Sequence, residues 1–280
     1  MTWTSPSKMT SERTVITPEY AASLLEQNKA NRPLNQRHVE RIARQIRENK
    51  WVYNGDTIKL DVDGNILDGQ HRLWACVETG IAIDTQVIKG LPKEVFTTLD
   101  TIAKPRSPQD TVHLMGVHLN RRDVATACMW LSRYEKGVLP YYRAPNSKVE
   151  NSDVEQVLKA HIGLVDAVER VKCLRALKNT GLMAFLYYII AAENKDLADL
   201  MVDTLYDTSG VSFDHPFYLL RSILDKNARM IGGGRRRDLV EISALVIKAA
   251  NAVHAGKGLQ VLRWNPTGKL AEKFPTLNVA

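Results

Sequence analysis

The sequence has few cysteines and lacks a long hydrophobic run. Its three cysteines, Cys76, Cys128 and Cys173, are odd in number and far apart, so neither a disulfide framework nor a cysteine zinc cluster is expected. The most hydrophobic segment, 181–192, has 12 residues and predicts a buried helix rather than a membrane span. The N-terminal residues do not resemble a secretory signal. We therefore expect a cytoplasmic protein with no membrane partner.

The charge of the chain is unevenly distributed. Of its 280 residues, 44% are hydrophobic and 25% are charged, an ordinary globular composition, and the formal net charge is +7. Residues 1–105 contain 14 Lys and Arg against 13 Asp and Glu, whereas the remaining residues contain 24 against 18. If the protein binds a polyanion through diffuse positive charge, the second part of the chain is therefore a better candidate for the contact than the first.

The hydrophobic pattern predicts an α+β domain followed by an all-α domain. Order is expected near Val15, after a flexible segment 1–14. Helices are predicted from 17 and over 36–49, then a β-hairpin over 57–67, a helix ending at Gly80, a strand over 84–88 and a short helix over 93–99. This first domain, 15–105, would contain a small mixed sheet. The helices predicted in the second domain, 106–280, are 108–117, 120–136, 151–160, 162–171, 180–193, 195–207, 216–226 and 237–254.

Two features beside the predicted hairpin have more than one interpretation. Four arginines lie on the polar face of helix 36–49, which is either a solvated face or a face directed at phosphate; they are Arg37, Arg41, Arg44 and Arg47. The sequence Asn54-Gly55-Asp56 is typical of a turn. Because it precedes the hairpin, it would lie near the same end of the sheet as the segment described next.

The segment Asp68-Gly69-Gln70-His71-Arg72 carries the most chemical information. It joins an apolar strand to a helix, where Asp68 is placed to cap the first amides and Gly69 permits close approach of backbone or ligand. Such a helix start is an anion site. A bound phosphate would also offset the unfavourable position of the cationic Arg72 near the positive pole of the helix. The alternative is that Asp68 only caps, Arg72 is a surface residue and His71 packs on a neighbour.

Residues 15–105 resemble the ParB/sulfiredoxin superfamily. The resemblance rests on an Arg-bearing loop, the helix RHVERIARQIRENKW, the hairpin and the strand-turn-helix element with Asp-Gly-Gln-His-Arg. This version of the motif is similar to that of ParB-like proteins of bacteria and their phages and of free-serine kinases in the superfamily. Gln70 stands where sulfiredoxins carry their catalytic cysteine, which disfavours sulfinic-acid repair. His71 replaces one arginine of the ParB pair and no helix-turn-helix is recognisable, which disfavours a partition clamp.

The resemblance implies a nucleoside triphosphate site, with ATP or CTP and Mg²⁺ as cofactors. By position, the phosphate-binding residues would be Gly69, Gln70, His71, Arg72, Arg32 and Arg37. Asp68 would act as a base or as a ligand of Mg²⁺, and the second catalytic residue, His71, would help Arg72 to neutralise a transferred phosphoryl group. The implied function is nucleotide binding in a protein that acts with DNA. A homo-oligomer is compatible with this function. The alternatives are a phosphotransferase acting on a small hydroxyl compound or a modified base, a nuclease, and a non-catalytic scaffold.

The second domain offers weaker candidates. A basic loop and an aromatic loop are candidates for contact with nucleic-acid phosphates; their residues are Arg235, Arg236, Arg237 and Arg143. The aromatic residues on its helical faces are expected in the core. Five scattered histidines show no ligand spacing with cysteines or carboxylates, so we do not expect them to bind a metal; they are His113, His118, His161, His215 and His254.

Overall fold

In the computed structural model, the chain divides into two compact units, residues 1–104 and 105–280. The residues that the structure describes are 9–26, 33–98, 106–141, 143–144, 147–229, 238–267 and 271–280, without the side chains of 96–98. A four-stranded mixed sheet lies in the first unit, and helices form the second. The α+β class predicted from the sequence is therefore confirmed.

The first unit consists of strands and helices that are interspersed along the chain. In order they are β1 (Thr10–Ile16), α1 (Pro18–Glu26), α2 (Gln36–Arg47), β2 (Thr57–Asp61), β3 (Ile66–Asp68), α3 (Gln70–Thr79), β4 (Ile83–Leu91) and a 3-10 helix (Lys93–Thr98). The strand order is β1-β4-β2-β3. Strand β4 pairs antiparallel with β1 and parallel with β2, and β2 and β3 form the predicted hairpin.

The core of the first unit follows from the apolar spacing of its elements. Helix α2 buries four residues on one face, Val39, Ile42, Ala43 and Ile46, as their 3.6-residue periodicity predicts. They pack with apolar residues of β2, β4 and α3, among them Ile58, Val87 and Leu73. Arg37 lies exposed on the opposite face of α2, and Arg47 is exposed where it pairs with Glu78 of α3.

The sheet begins earlier than the sequence predicts. The flexible segment predicted through residue 14 is wrong for 10–14, which belong to β1 and pair along their length with β4. Ion pairs between the two strands support this pairing: Lys89 Nζ lies 3.1 Å from Glu12 Oε1, and Arg13 pairs with Asp84. Strand β1 is polar, so its own residues do not predict a strand. The strand that stabilises it, β4, lies about 70 residues away along the chain, beyond the reach of a local pattern.

The second unit is a helical body built around α8. Its helices are α4 (Pro108–Leu114), α5 (Arg121–Glu135), α6 (Asn151–Ala160), α7 (Leu164–Val171), α8 (Thr180–Glu193), α9 (Lys195–Tyr206), α10 (Pro216–Arg229) and α11 (Leu239–His254). Ten residues of α8 are buried, as its continuous apolar run predicts. Helix α4 ends at Leu114, before the predicted end at 117. Within the described ranges, no helix is long and apolar enough to cross a membrane.

Candidate functional site

The turn between β3 and α3 has a backbone that only glycine adopts easily. Gly69 is the N-cap of α3 and has φ +98°, in the left-handed region that other residues avoid. A Cβ at this position would lie 3.0 Å from Ile58 Cγ1 and 3.2 Å from Ile58 Cα. The close approach that the sequence predicts at Gly69 is therefore an approach to strand β2, which fixes the start of α3 against the sheet.

Asp68 does not cap α3, and that prediction is wrong. The N-cap is Gly69, and no side chain caps the helix. Asp68 Oδ2 lies 2.7 Å from Lys59 Nζ, and Asp68 Oδ1 accepts the backbone N–H of Gly69 at 2.7 Å. Lys59 is the registered partner of Asp68 in the β2–β3 hairpin. The cross-strand ion pair thus holds the carboxylate beside the sheet, away from the helix amides.

Arg72 extends from the first turn of α3 to the beginning of β2. Its Nη1 donates to the carbonyl oxygen of Thr57 at 2.9 Å, and its Nη2 lies 3.4 Å from Asp56 Oδ2. Asp68 Oδ2 lies 4.0 Å from Nη1. The guanidinium therefore lies between two carboxylates. The side chain of Asp56 is 50% exposed, against 16% for Asp68, so Asp56 is the partner more open to exchange.

The starts of α2 and α3 are joined by a hydrogen bond. The backbone N–H of Asn35, the N-cap of α2, donates to His71 Nε2 at 3.2 Å. Because Nε2 accepts, the neutral His71 ring carries its proton on Nδ1. The ring of His38 approaches His71 edge-on at 4.8 Å between centroids. Gln70 and His71 are both buried, so the alternative in which His71 packs on a neighbour describes its position.

The junction of α2 and α3 places two positive helix poles together. Each helix N-terminus carries about half a positive charge in effect, and both helices are long enough for their dipoles to contribute. Among the described residues, the ion-pair cluster at the start of α3 contains two cations and two anions: Lys59, Arg72, Asp56 and Asp68. Since these four balance, the helix poles leave the junction with a net attraction for an anion.

Of the remaining predicted site residues, the structure describes Arg37 and Arg143. Arg37 lies exposed in the first turn of α2, on the same helix start as Asn35. Arg32 lies outside the described residues, as do Arg235, Arg236 and Arg237. In the second unit, Arg143 Nη2 lies 2.7 Å from Asp238 Oδ2, so its charge is already partly balanced.

The described carboxylates fit Mg²⁺ better through Asp56 than through Asp68. Both oxygens of Asp68 already receive a donor, from Lys59 and from the Gly69 amide. No group of three or more His, Cys, Asp or Glu able to hold a metal occurs among the residues described. Mg²⁺ that is bound with a nucleotide needs only one or two protein carboxylates, and the half-exposed Asp56 is positioned for this.

Sequence reasoning missed three contributors to the junction: Asn35, Lys59 and Thr57. Thr57 acts through its backbone, which carries no sequence signal. Lys59 occupies a polar position of the alternating strand β2 opposite Asp68, and that charge complementarity within a hairpin was the available signal. Asp56 lies beside Arg72 in the first turn of α3, as expected from a turn at the same end of the sheet as the segment 68–72.

Comparison with known proteins gave no match to a family model, to a curated protein or to a solved structure.

Proposed function

We propose that the first unit binds a nucleoside triphosphate at the α2–α3 junction and that the protein acts with DNA, as the resemblance to the ParB/sulfiredoxin superfamily implies. The observation that carries the proposal is the hydrogen bond from the Asn35 amide to His71, which holds two helix N-termini together. Phosphate oxygens are suited to such a junction because backbone N–H groups and helix dipoles both favour negative charge there.

Arg72 is the residue that we assign to the phosphates. Its guanidinium is anchored through Nη1 to a main-chain carbonyl, which leaves Nη2 for an anion in place of Asp56. The ion pair between Nη2 and Asp56 is half-exposed, and such pairs contribute only about 0.2–1 kcal/mol. Charge-assisted hydrogen bonds to phosphate contribute about 1.5–3 kcal/mol, so the exchange of Asp56 for phosphate is favourable.

Asp56 gains a role when it is released. A nucleotide brings Mg²⁺ to its phosphates, and a displaced Asp56 carboxylate would be available to that ion. Asp68 stays paired with Lys59 in this scheme and orients the hairpin next to α3. The phosphotransferase alternative requires Asp68 as a free base, which its pairing with Lys59 at 2.7 Å does not favour.

Calorimetric titration with ATP, CTP and GTP in the presence of Mg²⁺ tests the nucleotide site. We expect one of the three to bind and Arg72→Ala to weaken it about 10- to 150-fold, the equivalent of a lost charge-assisted hydrogen bond. Arg47→Ala is the matched control, since Arg47 is an exposed arginine paired with Glu78 at the other end of α3. Arg72→Lys tests the charge if Arg72→Ala fails to fold. Absence of binding at millimolar nucleotide, or equal affinity of the Arg72→Ala and Arg47→Ala variants, would refute the site.

Binding of labelled duplex DNA at several salt concentrations tests the second part of the proposal. The excess of Lys and Arg after residue 105 predicts an affinity that falls steeply as salt rises, because bound phosphates release counterions. No binding at about 50 mM salt, or an affinity independent of salt, would show that the second unit does not contact the DNA backbone. This outcome would leave the nucleotide site unaffected.

A further inference from the structure

Two histidines of the second unit meet at the end of α4. His113 lies in the last turn of α4, and His118 follows the helix. The Nδ1 atoms of the two rings are 3.1 Å apart, the ring centroids are 4.9 Å apart, and the ring planes are inclined by 69°. Both residues are exposed. The two Nδ1 atoms thus face each other at the surface.

The backbone after α4 brings the two rings together. Gly116 has φ +88°, its N–H donates to His113 O at 3.0 Å, and the N–H of Val117 donates to Val112 O at 3.3 Å. This pair of bonds is a Schellman motif, which ends a helix and reverses the chain. In a continued helix, residues five apart would lie about 140° apart around the axis. The prediction of a helix through 117 therefore concealed the pair.

The separation of the nitrogens suits a shared metal ion. With metal–nitrogen distances of about 2.0–2.1 Å, the observed 3.1 Å between the two Nδ1 atoms corresponds to an angle of about 100° at the metal. This angle lies between the octahedral and tetrahedral values. The separation therefore allows one ion to bind both nitrogens, once the exposed rings rotate to direct their lone pairs at it. The Schellman motif fixes the backbone between the two histidines, so less conformational entropy is lost on binding an ion than for two histidines on a flexible segment.

We propose that His113 and His118 form a surface site for a divalent late transition-metal ion of the zinc class, coordinated through both Nδ1 atoms. Imidazole is a preferred ligand of zinc, nickel and copper ions. In the metal-free pair, one neutral ring donates its Nδ1 proton to the other. On binding, that proton moves through solvent to Nε2 of the same exposed ring, so both Nδ1 lone pairs face the ion. Water completes the coordination shell, since the described part of the chain has no cluster of three such ligands.

Calorimetric titration of the full chain with ZnCl2 tests the site. The titrations use a Cys173→Ser background, because Cys173 is exposed and its thiolate would also bind zinc. We expect one ion per chain, with affinity reduced at least tenfold by His113→Ala or by His118→Ala. His254→Ala is the matched control because His254 is also exposed in the last turn of a helix, and it should leave the affinity unchanged.

A second variant separates coordination from a structural hydrogen bond. In His118→Gln the side chain retains a donor and an acceptor for His113 but loses the imidazole. We expect this variant to keep its helical circular dichroism and to lose zinc affinity as His118→Ala does. The proposal fails if zinc does not bind at millimolar concentration. It also fails if affinity survives in both alanine variants and in His118→Gln.

Discussion

Asp56→Asn should increase the affinity of the first unit for an inorganic polyphosphate when Mg²⁺ is absent. In the structure Asp56 Oδ2 lies 3.4 Å from Arg72 Nη2 and competes with any anion for that group. The asparagine retains an acceptor for the turn but removes the negative charge. Because the carboxylate is half-exposed, the pair is worth about 0.2–1 kcal/mol, and its removal corresponds to an affinity about 1.4- to 5-fold higher.

The assay is a calorimetric titration with sodium tripolyphosphate in the presence of a chelator, for the unchanged chain and for two variants. Asp63→Asn is the control, since Asp63 is also exposed, pairs with a cation (Lys93, as Asp56 pairs with Arg72), and lies in the hairpin turn at the other end of β2. The two variants change the net charge equally, so only a local effect distinguishes them. The reasoning is refuted if Asp56→Asn does not bind the anion more tightly than Asp63→Asn does.

Two further predictions concern the packing of the first unit and its thiols. Gly69→Ala should destabilise the first unit by about 1–3 kcal/mol more than Gly80→Ala, because both positions have positive φ but only the methyl at 69 meets Ile58. Urea denaturation monitored by hydrogen exchange of β2 measures the stability of both variants, and equal losses of stability would contradict the prediction. Burial raises the pKa of Cys76 to about 11 and that of Cys128 to about 12, so iodoacetamide at pH 8 should modify only Cys173 in the native protein and all three cysteines after denaturation, as mass spectrometry would detect.

Local periodicity predicted those elements whose packing depends on one apolar face. Apart from α8, whose bounds follow from its continuous apolar run, the bounds predicted for α6 agree with the structure, and the buried face of α2 is the one that its spacing indicates. These elements bury residues that repeat every three or four positions, so neighbouring residues contain the signal. The hairpin was also predictable from local signals, namely the alternation in β2, the turn residues 63–65 and the apolar residues of β3.

The features that were missed depend on partners distant in the sequence or on a single glycine. The position of Asp68 is decided by Lys59 on the neighbouring strand, which outweighs the local preference of aspartate for a helix cap. The early start of β1 depends on β4, whose residues follow it by about 70 positions. The pairing of His113 with His118 depends on Gly116, where the chain leaves the helix.

The strand order has a consequence for the synthesis of the chain. Strand β4 is the last of the four to be made, yet it lies between β1 and the hairpin of β2 and β3. Until Leu91 has left the ribosome, β1 lacks its partner and β2 is unpaired on one side. Exposed strand edges of this kind promote association between chains. Ribosome-bound fragments that stop before β4 should therefore depend on chaperones, and those that include it should not.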